Sequence, residues 1–396
     1  MDLDAAVIRG YRLRAHHLDR KLPWKGLAAA AGACGLQNSP PGAWETALFQ
    51  RLEGCTEEKL RDALYRKKSL LQAWSCRGAP MVFPTGQSGV FLAPLMGRPE
   101  EQPWIYTRGI TAALDFLQMT LEDVWPLVRD AAGALDYETV QSKEALDRFL
   151  ADRVRPHLPQ DRRALWDAPS MYGRPDRQTV GGAVVSFLLR PCSFEGLVVF
   201  GRREGDSPTF TSLRSWTGRE AAGSPEGEKE LVRRFLHCYG PTTSAALISW
   251  LGCSPRQGRR LWNLVAEEVE PLQVDGKISW MLAADMPELL HGPEQAGRLL
   301  LLGPHDPYLE LRDRQTILED TALHRQVWRT VSNPGAVLLD GRVAGIWQTR
   351  TQGGRMAVTV TLWEPLSAAQ QKHLQQKAEE YAAFRGCAMT KYVLKD

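Results

Sequence analysis

Residues 228–282, EKELVRRFLHCYGPTTSAALISWLGCSPRQGRRLWNLVAEEVEPLQVDGKISWML, carry the reading on which the fold depends. Leu231, Phe235, Leu236 and Tyr239 recur at helical spacing, and Gly240-Pro241 stops that helix. Thr242 or Thr243 then caps a short helix, SAALISWL, which ends at Gly252. Ser254 followed by Pro255 is an N-cap and first-turn pair that opens a third helix. Beyond Pro271, two short strands flank Asp275-Gly276, a dipeptide suited to a two-residue hairpin turn because both of its positions need positive φ. Three helices followed by a β-hairpin read as a winged helix-turn-helix. Arg256, Arg259 and Arg260 stand at the start of its third helix, where a recognition helix meets a duplex.

On either side of this segment the same order of elements recurs less clearly. In the N-terminal region a helix through Trp24 to Ala33 gives way at Gly35 to the loop GLQNSPPG. GAWETALFQRL then reads as helical. Thr56 caps EEKLRDALYRK, with Glu57 and Glu58 in the turn where the helix dipole favours acids. LLQAWSCRGAPMVFP reads as a hairpin turning near Arg77-Gly78. A third version runs from Ser142 to Phe200: SKEALDRFLADRV, DRRALWDA, RQTVGGAVVSFLLR and the strand GLVVFGRR, with Gly181 and Gly182 weakening its last helix. Toward the C-terminus, GAVLLDGRVAGIWQTRTQGGRMAVTVTLW alternates apolar and polar residues and turns at Asp340-Gly341 and Gly353-Gly354. That is a three-stranded meander, part of a small barrel or of a sheet covered by the final helix SAAQQKHLQQKAEEYAAF. Linkers fall at PLMGRPEEQP (94–103) and TGREAAGSPEGE (217–228).

The 396 residues suit two or three domains, and 43% hydrophobic with 24% charged residues excludes collagen-like and disordered chains. Forty-nine Lys and Arg against 46 Asp and Glu leave a formal charge of +3, too little to identify a partner by itself. The distribution says more. Residues 1–77 carry 13 basic against 8 acidic side chains, among them Arg12, Arg14, Arg20, Lys21 and Lys25, and the Arg66-Lys67-Lys68 run lies beside a hairpin, a place for phosphate contacts. Seven Cys without a C-x-x-C pair argue against zinc ribbons and secreted disulfide frameworks, and suit reduced, buried thiols. Met1 to Arg14 lacks the apolar core of a signal peptide and no stretch reaches the ~20 apolar residues of a bilayer span, so a cytoplasmic protein is expected.

No metal site is expected, because His16-His17 has no matching ligands. GRREG at Gly201 reads as a turn rather than a phosphate cradle, and neither a P-loop nor a nucleophile elbow occurs. The unusual segment is Gly35-Leu36-Gln37-Asn38-Ser39-Pro40-Pro41, where three polar side chains stand before a double proline. They could face a ligand, or Asn38 or Ser39 could cap the next helix.

At these residues the chain resembles the winged-helix DNA glycosylases similar to YcaQ and AlkZ, which act on bulky alkylated purines and interstrand crosslinks. The resemblance covers roughly Arg9 to Phe384 and is carried by GLQNSPPGAWETALFQRLEG, LLQAWSCRGAPMVFP, GLVVFGRREGDSPTF, FLHCYGPTTSAALISWLG, LLGPHDPYLELRDR and PGAVLLDGRVAGIWQTR. The resemblance implies an α+β chain of three tandem winged helices (1–98, 99–220 and 221–290) with a β-rich, barrel-like region at 291–396, C-shaped around duplex DNA. It also implies a catalytic Gln-x-Gln or Gln-x-Asp motif in the first loop. Gln37 matches its first position, Asn38 the middle and Ser39 the third, where a hydroxyl replaces a longer amide or carboxylate. Arg77 and the segment with Asp306, Arg312 and Arg314 would line or brace the DNA channel, and Arg51, in the first matching stretch, joins the DNA contacts with Lys67 and Lys68.

The expected activity is excision of N7-alkylated purines, and unhooking of crosslinks, by hydrolysis of the N-glycosidic bond in a monomer without cofactors. Whether the lesion is flipped out is open. The rival reading is a non-catalytic winged-helix regulator or adduct sensor, and Ser39 is the residue that divides the two.

Overall fold

The computed structural model describes residues 3–101, 109–172, 176–205, 207–220, 223–291 and 297–395. Gln102 and Pro103 of the first expected linker and Ala221 and Ala222 of the second lie outside them. The chain forms two compact units that interleave along the sequence: Met1–Ala63 with Val232–Ala246 and Val265–Asp396, and Leu64–Leu231 with Leu247–Leu264. Among the described residues no helix is long and apolar enough to cross a membrane.

In the first unit the meander forms as read. Gly335–Leu339, Arg342–Gln352 and Arg355–Leu362 pair antiparallel, with Trp347 opposite Val360. The barrel-like expectation is corrected, because the sheet stays open. Leu299–Leu302 adds an antiparallel edge, and Ala388–Lys395 adds a parallel strand at the other edge after crossing over through the Ala368–Phe384 helix. Closure is unnecessary because both faces are already covered. Leu299, Leu301, Val337, Val358 and Val360 pack under Leu374, Ala378 and Ala382 of that helix. Leu300, Leu302, Ala336, Leu338 and Ile346 pack on the other side with Leu13, Leu18 and Tyr308. Four consecutive leucines thus serve two cores by the alternation of a strand.

The same unit contains the helix Ala5–Ala15, whose Ile8, Tyr11 and Ala15 pack with Met281 and Leu289. The hairpin Val269–Val274/Lys277–Leu282 turns through Asp275 (φ 49°) and Gly276 (φ 70°), the left-handed pair that its sequence demands. The helices Leu27–Gly32, Ala43–Arg51 and Glu57–Arg61 follow the sequence reading, and Thr56 Oγ1 accepts the Lys59 N–H at 3.3 Å as the expected cap.

The second unit has its own core. Trp74, Leu146, Leu150, Trp166, Val184, Leu188 and Phe210 form one apolar cluster between the helices Lys143–Val154, Gln160–Trp166 and Val180–Phe194 and the hairpin Leu70–Trp74/Pro80–Pro84. Gly181 and Gly182 do not break their helix. They stand in its first turn behind the Thr179 cap, and a Cβ on Gly181 would lie 2.1 Å from the Trp166 ring. The glycine leaves room for the indole. Ser254 caps Pro255–Asn263 as read, accepting the Gln257 N–H at 3.2 Å, and Gly258 lets the Ile248 side chain approach to where its own Cβ would stand.

Candidate active-site loop

The loop Gly35–Gly42 is rooted at both ends. Leu36 is buried, Gly35 takes φ +73° and Gly42 takes φ +90°, so the chain turns sharply into and out of the polar triplet. The Ser39-Pro40 peptide is cis. Asn38 Oδ1 accepts the Gly42 N–H at 2.7 Å, so its acceptor is committed to shaping the loop. Gly42 is itself the N-cap residue of the Ala43–Arg51 helix, which carries no side-chain cap, so Asn38 shapes the loop instead of capping the helix. Gln37 is half-buried and its Nε2 donates to the Ser39 carbonyl at 3.3 Å, while Ser39 is exposed. Within the triplet Ser39 is the solvent-facing member, and Gln37 stands half-buried beside it.

The double proline that follows lines a cleft of about 300 Å³ with Asn333, Gln348, Tyr381 and Arg385. Arg385 is fixed there by Glu45 (2.5 Å) and Glu57 (2.9 Å), and its Nη2 lies 3.3 Å from the position of a Cβ on Gly42. Nothing in the local sequence marks this group. Arg385 comes from the end of the last helix, and no local pattern ties it to a loop some 340 residues earlier.

The candidate DNA contacts divide by environment. Lys67, Arg256, Arg259 and Arg312 are exposed. Arg51 is not. Its side chain is 2% accessible, and it pairs in a fork with Asp306, which is fully enclosed. Arg51 as a phosphate contact is corrected on that ground; it braces the Ala43–Arg51 helix, and Asp306 ties down its own loop. Lys68 Nζ donates to the Trp216 carbonyl at 2.6 Å and stands 4.2 Å from the centre of that ring. Arg77, at φ +58°, donates to the Trp250 carbonyl at 3.1 Å.

The three arginines at the start of the Pro255–Asn263 helix do not share one surface. Arg256 reaches the Glu100 carbonyl at 2.9 Å, and Arg260, one turn on, is taken by Glu101 (2.6 Å) and Glu228 (2.8 Å). Salt-bridging holds the Glu101 carboxyl below its usual range despite its burial. Arg259 remains solvent-facing. Arg314 is half-buried against Trp328, 4.5 Å from the ring centre, where burial lowers its proton affinity.

One further cluster revises the reading of His16. His16 is buried with Cys34 and Cys238, their donor atoms all within 4.8 Å of one another, and Cys34 lies three residues before Gln37. The thiols come from distant segments, so the sequence offered no ligand spacing to recognise.

Comparison with known proteins agrees with this architecture. The profile of the DNA glycosylase AlkZ-like family matches residues 30–384, and the chain belongs to that family. It is 23% identical over 293 residues to an interstrand DNA cross-link repair glycosylase of Streptomyces sahachiroi, covering 71% of this chain and 70% of that one. The fold is that of the Streptomyces sahachiroi DNA glycosylase AlkZ, with a TM-score of 0.76 at 20% identity and full coverage of both chains.

Proposed function

We propose that this protein is a DNA repair glycosylase that excises bulky N7-alkylated purines from duplex DNA and unhooks interstrand crosslinks formed through such adducts. Its element orders 1–98, 99–220 and 221–290 act as winged helices on the duplex, as a monomer in the cytoplasm around the nucleoid. The observation that carries the reading is Gln37, which occupies the first motif position in a loop braced by Asn38, within a family match that spans residues 30–384.

The chemistry asks little of the protein. An N7-alkylated purine is already cationic, so it leaves as a neutral base when the N9–C1′ bond breaks and takes the bonding electrons. The sugar left behind resembles an oxocarbenium ion, and water adds to C1′ and then loses a proton to solvent. Gln37 holds that water through its amide oxygen, and Ser39, solvent-facing beside it, accepts from the same water or steadies the sugar. Exposed Lys67, Arg256, Arg259 and Arg312 meet phosphates. The test is release of N7-methylguanine from duplex DNA, with Gln37→Ala as the paired variant.

A further inference from the structure

A second cleft, of about 500 Å³, is bounded by the Ala43–Arg51 helix, the start of the Leu299–Leu302 strand and the Ala368–Phe384 helix. Its lining includes none of the residues of the Gln37 loop. Arg20, Lys21, Arg298, His373 and Lys377 supply its polar wall against one carboxylate, Glu380. Two of the cations are held in position. Lys21 Nζ stands 4.4 Å from the centre of the Phe49 ring. Arg298 Nε donates to the Leu18 carbonyl at 2.5 Å, and the backbone N–H groups of Gly297 and Arg298 both donate to Asp340, at 2.9 and 2.8 Å.

Lys21, Arg298 and Lys377 are half withdrawn from water, and among the described residues none of them has an ion pair. Burial lowers the proton affinity of all three. Glu380 pulls the proton affinity of Lys21 and Lys377 back up, and the positive charges of Lys21 and Arg298 press that of Lys377 down again. Cations gathered in this way cost stability unless an anion meets them. The cleft is far larger than one carboxylate, and it pairs two ammonium point charges with a guanidinium fork, a set that suits the several oxygens of a phosphate group.

We infer that this cleft is a phosphate site, and that the phosphate it holds belongs to the DNA backbone, gripped apart from the reacting base. The inference rests on the reading of DNA as the partner. The other source of the same chemistry is a free phosphate-bearing small molecule.

The test uses the full chain with Lys21→Met, which keeps the aliphatic stem on Phe49, combined with Lys377→Gln. Fluorescence anisotropy on an undamaged duplex across a salt series should give about tenfold weaker binding than wild type at low salt. The slope of log K against log salt should fall by about one, since one phosphate contact is lost. In parallel, inorganic phosphate and pyrophosphate should raise the Tm of wild type and leave that of the double variant unmoved. An unchanged salt slope overturns the backbone assignment. If the anions still raise the wild-type Tm in that case, the site serves a free phosphate; if they do not, the cleft is no anion site at all. Failure to excise N7-methylguanine bears on the proposed function alone, because undamaged DNA reads the cleft without any chemistry.

Discussion

Arg51 and Asp306 face each other in a closed two-pronged pair, Nη1 to Oδ2 and Nη2 to Oδ1 both at 2.8 Å, with neither side chain open to solvent. The pair joins the helix that follows the Gln37 loop to the turn after the Leu299–Leu302 strand. Arg51 also donates to the carbonyls of His16 and Ala47, and Asp306 accepts the Tyr308 N–H, so the remaining hydrogen-bonding capacity is used locally. Removing one partner strands a buried charge. Asp306→Asn should destabilise the protein by about 3–5 kcal/mol, and Arg51→Met combined with Asp306→Leu should cost clearly less than that. Urea denaturation of the two variants makes the comparison. A loss below about 1 kcal/mol for Asp306→Asn would mean that the pair is not enclosed in solution.

Adjacent glycines should respond in opposite directions. A Cβ on Gly181 meets the Trp166 ring at 2.1–2.5 Å, whereas one on Gly182 meets nothing closer than 3.4 Å. Gly181→Ala should cost about 1–3 kcal/mol through overpacking. Gly182→Ala should be neutral or add up to about 1 kcal/mol by restraining the unfolded chain. Thermal denaturation separates the two, and equal effects would contradict the packing described.

Asn38 has a shaping role that conservative replacement should reveal. Asn38→Ala leaves the Gly42 N–H without its 2.7 Å acceptor and should cost about 1 kcal/mol. Asn38→Asp retains an acceptor at the same reach and should restore most of that stability. Base excision should fall in Asn38→Ala and recover in Asn38→Asp, with the change in kcat rather than KM. An Asp variant as impaired as the Ala variant would point instead to a direct contact between the Asn38 amide and the lesion.

His237 introduces a pH dependence with a definite sign. Its Nδ1 stands 3.0 Å from Asp285 Oδ2, and that hydrogen bond raises the His237 pKa above the usual histidine value despite partial burial. A raised folded-state pKa stabilises the fold fully below the unfolded value of about 6.5 and loses that contribution as pH rises through the folded value. His237 is half exposed, so the contribution stays below about 1 kcal/mol. The urea-midpoint difference between wild type and His237→Gln should shrink as pH rises from about 6 to about 9. A difference that grows over that interval would reverse the assignment.

Local signals are legible in the sequence because they depend on neighbours. Ser254-Pro255, Thr56 and Asp275-Gly276 act within three or four residues, and all three perform as read. The two edge strands of the open sheet were invisible for a different reason. Leu299–Leu302 has no polar residue to show an alternation, and Ala388–Lys395 pairs in parallel with a strand reached only through a whole helix. Charge was the least transferable signal. Arg51, Arg260 and Lys68 look like solvent-facing cations in the sequence, yet their partners Asp306, Glu101 and Trp216 stand 148 to 255 residues away. The polar loop stands out in the sequence, whereas the contact of Asn38 with the Gly42 N–H does not.

Gln37 is proposed to make this family member a working glycosylase although Ser39 stands at the third motif position. Single-turnover release of N7-methylguanine from a duplex measures it most directly. Wild type should release the base, Gln37→Ala should be slower by roughly 10²–10³-fold with duplex affinity retained, and Ser39→Ala should show a smaller loss. Tight duplex binding by wild type with no release of base, either from this substrate or from a nitrogen-mustard crosslink, would contradict the account and leave a DNA-binding protein without catalysis.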